Sequence, residues 1–225
     1  MTAPADIEGW LTDAQAERLR RAARRVRAGG RIVEIGSFRG RSAVVLARAA
    51  APGVEVVCID PHLGSDRGPQ EIEADHERGE ADYEAFHANL RRYGVDDRVR
   101  HVRAFSQEAL DAVDGPVDLL YVDGAHRYRP ASEDLVRRGA RVPDEGTMLV
   151  HDAFSSIGVT LALLRHVAFG RWRYVGRTGS LAEYRRGPGG AASVLRQLAQ
   201  LPWFLRNLVI KILILARLRR GPWPY

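Results

Sequence analysis

Glu34-Ile-Gly-Ser-Phe-Arg-Gly-Arg-Ser42 is the stretch on which the fold turns. It leaves a short apolar run, Arg31 to Ile35, that reads as a buried strand, and it opens a helix over Arg41 to Ala51. Glycines at 36 and 40 in such a strand-to-helix turn let backbone approach a ligand closely. The spacing is GxxxG, not the GxGxxG that a dinucleotide pyrophosphate requires. Glu34, an acid just ahead of the first glycine, suits a ligand with an amino group better than a phosphate. A lone GxxxG equally marks helix–strand packing. Here a second strand, Val54 to Ile59, ends in Asp60. An acid at that place accepts both hydroxyls of a ribose, which favours a cofactor turn.

The pattern repeats outward from there. A helix over Thr12 to Val26, capped by Thr12, stops at Gly29-Gly30. Residues 61–82 are polar and too long for an ordinary connection, so they read as a lid. Helix is expected over Tyr83 to Tyr93, Ser106 to Val113, Pro130 to Ala140 and Ile157 to Phe169. Strands are expected over Val99 to Phe105, Val117 to Val122 and Thr147 to Val150, with a hairpin pair, Trp172 to Arg177 and Leu181 to Arg185, around Thr178-Gly179-Ser180. Strands alternating with helices predict an α/β fold, a mostly parallel sheet ending in an antiparallel hairpin. Ligands bind beyond the carboxyl ends of such strands, where Asp60, Asp123, His151 and Asp152 all fall.

Four ordered motifs carry a family resemblance. EIGSFRGRSAVVLAR resembles the first motif of catechol-type and macrocin-type O-methyltransferases, and Phe105-Ser-Gln-Glu-Ala-Leu110 resembles the adenine-binding segment of the catechol group. LLYVDGAHRYRPASEDL and LVHDAFSSIGV resemble the fourth- and fifth-strand motifs of the macrocin-type group, which acts mainly on sugar hydroxyls. The resemblance spans roughly residues 30–185 and implies a Rossmann-like class I methyltransferase fold with S-adenosylmethionine as cofactor. It implies Glu34, Gly36 and Ser42 near the methionine part, Asp60 at the ribose, and Ser106 and Gln107 at the adenine. Asp123 is implied both beside the cofactor and, with Asp152, as ligand of a divalent metal such as Mg2+. His151 stands where the catechol group often has an acid, which leaves the third ligand open.

A sugar hydroxyl is protonated near neutral pH, so methyl transfer to it needs a metal, a base or both. His151 is the first choice for base, while His126 is open as base, metal ligand or substrate contact. The acceptor implied is a sugar or polysaccharide, with methylated mannosides the specific suggestion. A phenolic or lipid acceptor is the alternative. A membrane-associated binding protein with an idle cofactor fold is the reading from another class. Seven acids in the lid, Asp66, Glu71, Glu73, Asp75, Glu77, Glu80 and Asp82, disfavour phosphate-rich acceptors, and no nucleic-acid partner is expected.

The net charge of +6 belongs to one end of the chain. Residues 187–225 carry no acid and six basic residues, including Lys211, the only lysine, so residues 1–186 are net neutral. The organisation expected is therefore a helical segment over 1–30, a catalytic domain over 31–186 and a basic apolar tail over 187–225. Arg206, Asn207, Lys211 and Arg217 fall within about 140° of a helical wheel, leaving a wide apolar arc. Such a tail fits either a membrane interface or a dimer-forming or core-docked helix. With no run of about 18 uninterrupted apolar residues, no spanning helix is expected. The polar N-terminal stretch does not read as a secretory signal, so the expected location is cytoplasmic, extending to the membrane surface.

Overall fold

The computed structural model of the chain describes residues 4–65 and 73–218. Its centre is a seven-stranded sheet in the order β3-β2-β1-β4-β5-β7-β6. The strands are β1 Arg31–Ile35, β2 Glu55–Ile59, β3 Val99–Val102, β4 Leu119–Val122, β5 Thr147–Val150, β6 Trp172–Thr178 and β7 Leu181–Arg186. The first five run parallel, and β7 enters antiparallel between β5 and β6. The expected α/β sheet with a terminal hairpin is thus observed.

Period-two alternation along these strands builds two cores. Ile32, Val56, Cys58, Leu119, Tyr121 and Leu149 pack under α1 (Asp13–Ala23), α2 (Arg41–Ala49) and α3 (His76–Arg92). Val33, Ile35, Val57, Leu120, Val122, Met148 and Val150 pack under α4 (Tyr128–Glu133) and α5 (Ile157–His166) on the opposite face. With both faces covered, the strands read as unbroken apolar runs. The chain order reverses between β2 and β4, on either side of β1. Ile35 stands beside Val122 there, so the carboxyl ends of β1 and β4 form the switch-point crevice.

Strand β3 stops at Val102 instead of the expected Phe105, and three expected helices differ. Helix α3 starts at His76, seven residues before the expected Tyr83, because the Asp75 carboxylate caps it by accepting from the Arg78 amide at 2.8 Å. The last third of the expected lid, from His76 to Asp82, is therefore helix. Asp66 and Glu71 of the lid lie outside the described residues. Ser106 to Val113 forms turns with only a short 3-10 segment, Leu110–Ala112, and the helix expected over Pro130 to Ala140 changes pitch after Glu133. The tail folds into α6 (Gly190–Leu198) and α7 (Leu201–Leu215), with a turn at Ala199-Gln200. By length and composition alone, Gly190–Leu215 is long and apolar enough to cross a membrane, an 18-residue window of it having a mean hydropathy of 1.5. The expectation of no spanning helix asked for an uninterrupted apolar run, which Arg206 and Lys211 break, whereas mean hydropathy tolerates them.

Candidate active site

A cavity of about 530 Å³ opens at the carboxyl ends of the parallel strands. Its floor is the glycine turn. Gly36 has φ +82°, and a Cβ on it would lie 2.2 Å from the Asp123 carbonyl oxygen, so β1 and β4 meet here only because residue 36 lacks a side chain. Asp60 pins the turn to β2. Its Oδ2 accepts from the Ser37 and Phe38 amides at 2.8 and 2.9 Å, and its Oδ1 accepts from the His62 amide at 2.8 Å.

Glu34 points away from the cavity. Alternation along β1 turns it onto the α2 face, where it is fully buried and accepts from the Ser42 hydroxyl and, at 3.0 Å, from the Cys58 thiol. Burial pushes its carboxyl up to about 7, against the lowering effect of those hydrogen bonds. Ser42, not Glu34, reaches the cavity lining.

The far wall follows β3. Phe105, Ser106 and Gln107 line it. The Ser106 hydroxyl donates to Asp134, and Arg138 donates to the Ser106 carbonyl at 2.7 Å. Burial pushes Asp134 up to about 6 despite Ser106 and Arg138. This stack holds the 105–107 segment open beside the cavity.

Four titratable groups converge past β4 and β5. One ligand atom each from Asp123, His126 and Asp152 lies within 4.8 Å of the other two. His126 Nε2 is 2.8 Å from Asp152 Oδ2, and His151 Nδ1 lies 3.1 Å from Asp123 Oδ1 and 3.4 Å from Asp152 Oδ2. The Tyr121 hydroxyl fixes Asp123 by donating to its Oδ2 at 2.7 Å. Burial opposes charge on Asp152, yet His151 and His126 beside it hold its carboxyl well below the usual range. Burial likewise opposes charge on His151, but Asp123 and Asp152 drive its imidazole well above the usual value. His126 rises for the same reason, its burial being outweighed by Asp152. Gly158, in the first turn of α5, allows this packing, since a Cβ there would come within 2.2 Å of the His126 carbonyl.

The geometry can now be set beside known proteins. A family model described as a methyltransferase domain matches residues 33–153, more than half of the chain. The chain belongs to this methyltransferase family. Its fold is similar to that of the O-methyltransferase NovP, with TM-score 0.63 and 19% identity over 78% of this chain and 81% of that one. It is similar to TomG of Streptomyces achromogenes, an O-methyltransferase involved in tomaymycin synthesis, solved with SAM (TM-score 0.58, 20% identity, 81% and 83% covered). A Bacillus cereus O-methyltransferase solved with SAH gives TM-score 0.58 at 16% identity, covering 81% and 86%. No curated protein matches the chain.

Set against the expectations, the methyltransferase brings Gly36, Ser42, Asp60, Ser106, Gln107, Asp123, His126, His151 and Asp152 around one cavity and leaves Glu34 beneath it. The sequence reading missed the wall made by residues 8–11. Trp10 meets the Phe38 ring at 5.4 Å, and Arg41 donates to the Gly9 carbonyl at 2.7 Å. An isolated tryptophan in a polar stretch was the one signal for it, because so large an apolar side chain is usually covered. Asp82, expected in an acid-rich rim, is buried and paired with Arg39 at 2.9 Å.

Proposed function

We propose that this methyltransferase moves the methyl group of S-adenosylmethionine to a hydroxyl of a sugar or polysaccharide, with a divalent metal held by Asp123, His126 and Asp152. The observation that carries the reading is the convergence of those three donors at the edge of the cofactor-sized cavity. Two carboxylates and an imidazole are a fitting set for a divalent cation. The imidazole widens the choice from Mg2+ towards Mn2+ or Fe2+. A bound cation supplies a Lewis acid that lowers the pKa of the acceptor hydroxyl and orients it.

The chain's own residues do the rest. The Gly36 turn and Asp60 shape the cradle for the methionine and ribose parts, and Ser106 and Gln107 border the place for the adenine. The SAM and SAH complexes of structural neighbours support that cofactor. Displacement at a sulfonium methyl needs the acceptor oxygen in line, so position is the main thing the protein contributes. Tyr121 holds Asp123, and Asp123 and Asp152 hold His151. His151 can take the acceptor proton only as neutral imidazole, a form the two carboxylates disfavour until their charge is neutralised. The base and the metal are thus one coupled device. His126, hydrogen-bonded into the carboxylate pair, serves as the third donor.

The acceptor class rests on the fourth- and fifth-strand motifs and on a charged cavity rim that includes Glu8, Arg127, Arg129 and Glu133. Polyhydroxylated acceptors match such a rim through many hydrogen bonds. Labelled methyl transfer should be measured on a panel of glycans, phenols and lipids, before and after chelation and with Mg2+ or Mn2+ restored. Labelling of glycans that is lost on chelation and restored by metal is expected. Full activity after exhaustive chelation removes the metal, and exclusive labelling of phenols or lipids removes the sugar acceptor.

A further inference from the structure

The C-terminal helices dock with part of their polar face turned inward. They are held to the body by buried polar atoms as well as by Trp203 and Phe204, which pack against the core, and by the buried Ile210. Ser193 Oγ accepts from the Tyr174 amide at 2.7 Å, and Arg177 donates to Gln200 at 2.7 Å while its guanidinium lies 3.8 Å over the Trp203 ring. Asn207, wholly buried, donates to the Phe154 carbonyl at 3.2 Å, and Lys211 donates to the Ser155 carbonyl at 2.6 Å. Asn207 and Lys211, one side of the polar arc of α7, thus face the protein. On the opposite side Leu205, Val209 and Ile212 are 57%, 55% and 55% exposed, with Leu215 and, on α6, Leu195 also exposed. A helix on a water-facing surface does the reverse. A stripe of this kind marks an interaction surface.

Charge decides what covers it. Arg196, Arg206 and Arg217 are exposed around the stripe, and no acid occurs from residue 187 to 225. A symmetric second copy would bring an identical basic rim against this one, and like charges across an interface oppose association. An anionic lipid surface is complementary to both the apolar stripe and the basic rim. Spanning is disfavoured although Gly190–Leu215 is long enough, because Asn207 and Lys211 would have to leave their carbonyl partners and the turn at Ala199-Gln200 would have to straighten. We propose that α6 and α7 seat the enzyme on anionic membranes, with Leu205, Val209 and Ile212 in the interfacial layer and the arginines at the headgroups.

The test is flotation of the full chain with vesicles of phosphatidylcholine alone or mixed with phosphatidylglycerol, with the oligomeric state measured by light scattering. Binding to the phosphatidylglycerol vesicles, released by high salt, is expected. The triple variant Leu205→Ser/Val209→Ser/Ile212→Ser should lower partitioning by about 100-fold while keeping the thermal midpoint, since the side chains it changes are already exposed. Arg196→Gln/Arg206→Gln should weaken binding to the anionic vesicles alone. Three results overturn the proposal. One is equal, salt-resistant capture by both vesicle types, which means a spanning helix. Another is no flotation together with a dimer that the triple variant dissociates, which means a second copy. The third is no flotation of a monomer.

Discussion

Replacing Glu34 by glutamine isolates one buried carboxyl beneath the cofactor turn. Glu34 ionises near pH 4.5 in an unfolded chain and at about 7 in the folded one, burial being the main cause. Between those values the folded chain holds a proton that the unfolded chain has lost, so stability falls as pH rises through the window. A shift from 4.5 to about 7 corresponds to about 3 kcal/mol, at roughly 1.4 kcal/mol per unit. The contribution is fully present below 4.5 and lost above about 7. Glutamine keeps the shape and the acceptor oxygen for Ser42 but cannot ionise. Glu34→Gln should therefore match the parent chain in urea unfolding near pH 4.5 and exceed it by up to about 3 kcal/mol near pH 8. His101 tilts the acid side the other way, because burial and the neighbouring His62 and His87 hold it at about 4, but that slope is common to both chains and cancels in the difference. Parallel stability curves for the two chains across this range would refute the reasoning.

Three further outcomes follow from the same geometry. Gly36→Ala places a Cβ against the Asp123 carbonyl at a left-handed backbone position, so a loss of about 3 kcal/mol or more is expected, together with loss of S-adenosylhomocysteine binding by calorimetry. Unchanged binding would mean that the two strand ends do not meet at the cofactor. Tyr121→Phe removes the hydrogen bond that orients Asp123 and should lower Mn2+ affinity about 10-fold, read by electron paramagnetic resonance, with little change in fold. Asn207→Ala leaves the Phe154 carbonyl without its side-chain donor and should cost about 1–2 kcal/mol in thermal unfolding. No change there would detach α7 from the body.

The legible parts of this protein were those written locally. Apolar runs gave the parallel strands, because strands buried on both faces need no polar positions. Asp60, Asp123 and Asp152 marked the strand ends because polar residues return where the sheet stops. The rest depended on where a side chain points after a turn. Glu34 sits one residue inside the end of β1, and pleating sends it under α2, a direction that a motif alone does not carry. His126 joins Asp123 and Asp152 only through the turn at Gly124-Ala125 and the approach of α5 at Gly158. The early start of α3 was hidden because its first turns bury Gly79 and Asp82 rather than an apolar stripe. The helical wheel put Arg206, Asn207 and Lys211 on one arc of α7, but Arg217 lies past the helix end at left-handed φ +59°, and a wheel cannot say which arc faces the body.

That inward arc also bears on the chemistry. Asp152 and Phe154 adopt left-handed backbone at φ +53° and +58°, conformations that cost side-chain-bearing residues about 1–3 kcal/mol each. Such a segment persists when its surroundings over-determine it. Here β5 anchors one side, with the Phe154 ring buried in the core near Tyr174 at 6.3 Å. The Phe154 and Ser155 carbonyls are held from outside by Asn207 and Lys211. The tail therefore grips the strained segment that sets the direction of the Asp152 carboxylate. The tail that first stood apart from the neutral body by its charge is thus joined to the site through two hydrogen bonds, and the helix that presents an apolar face outward steadies the proposed metal donor Asp152 inward.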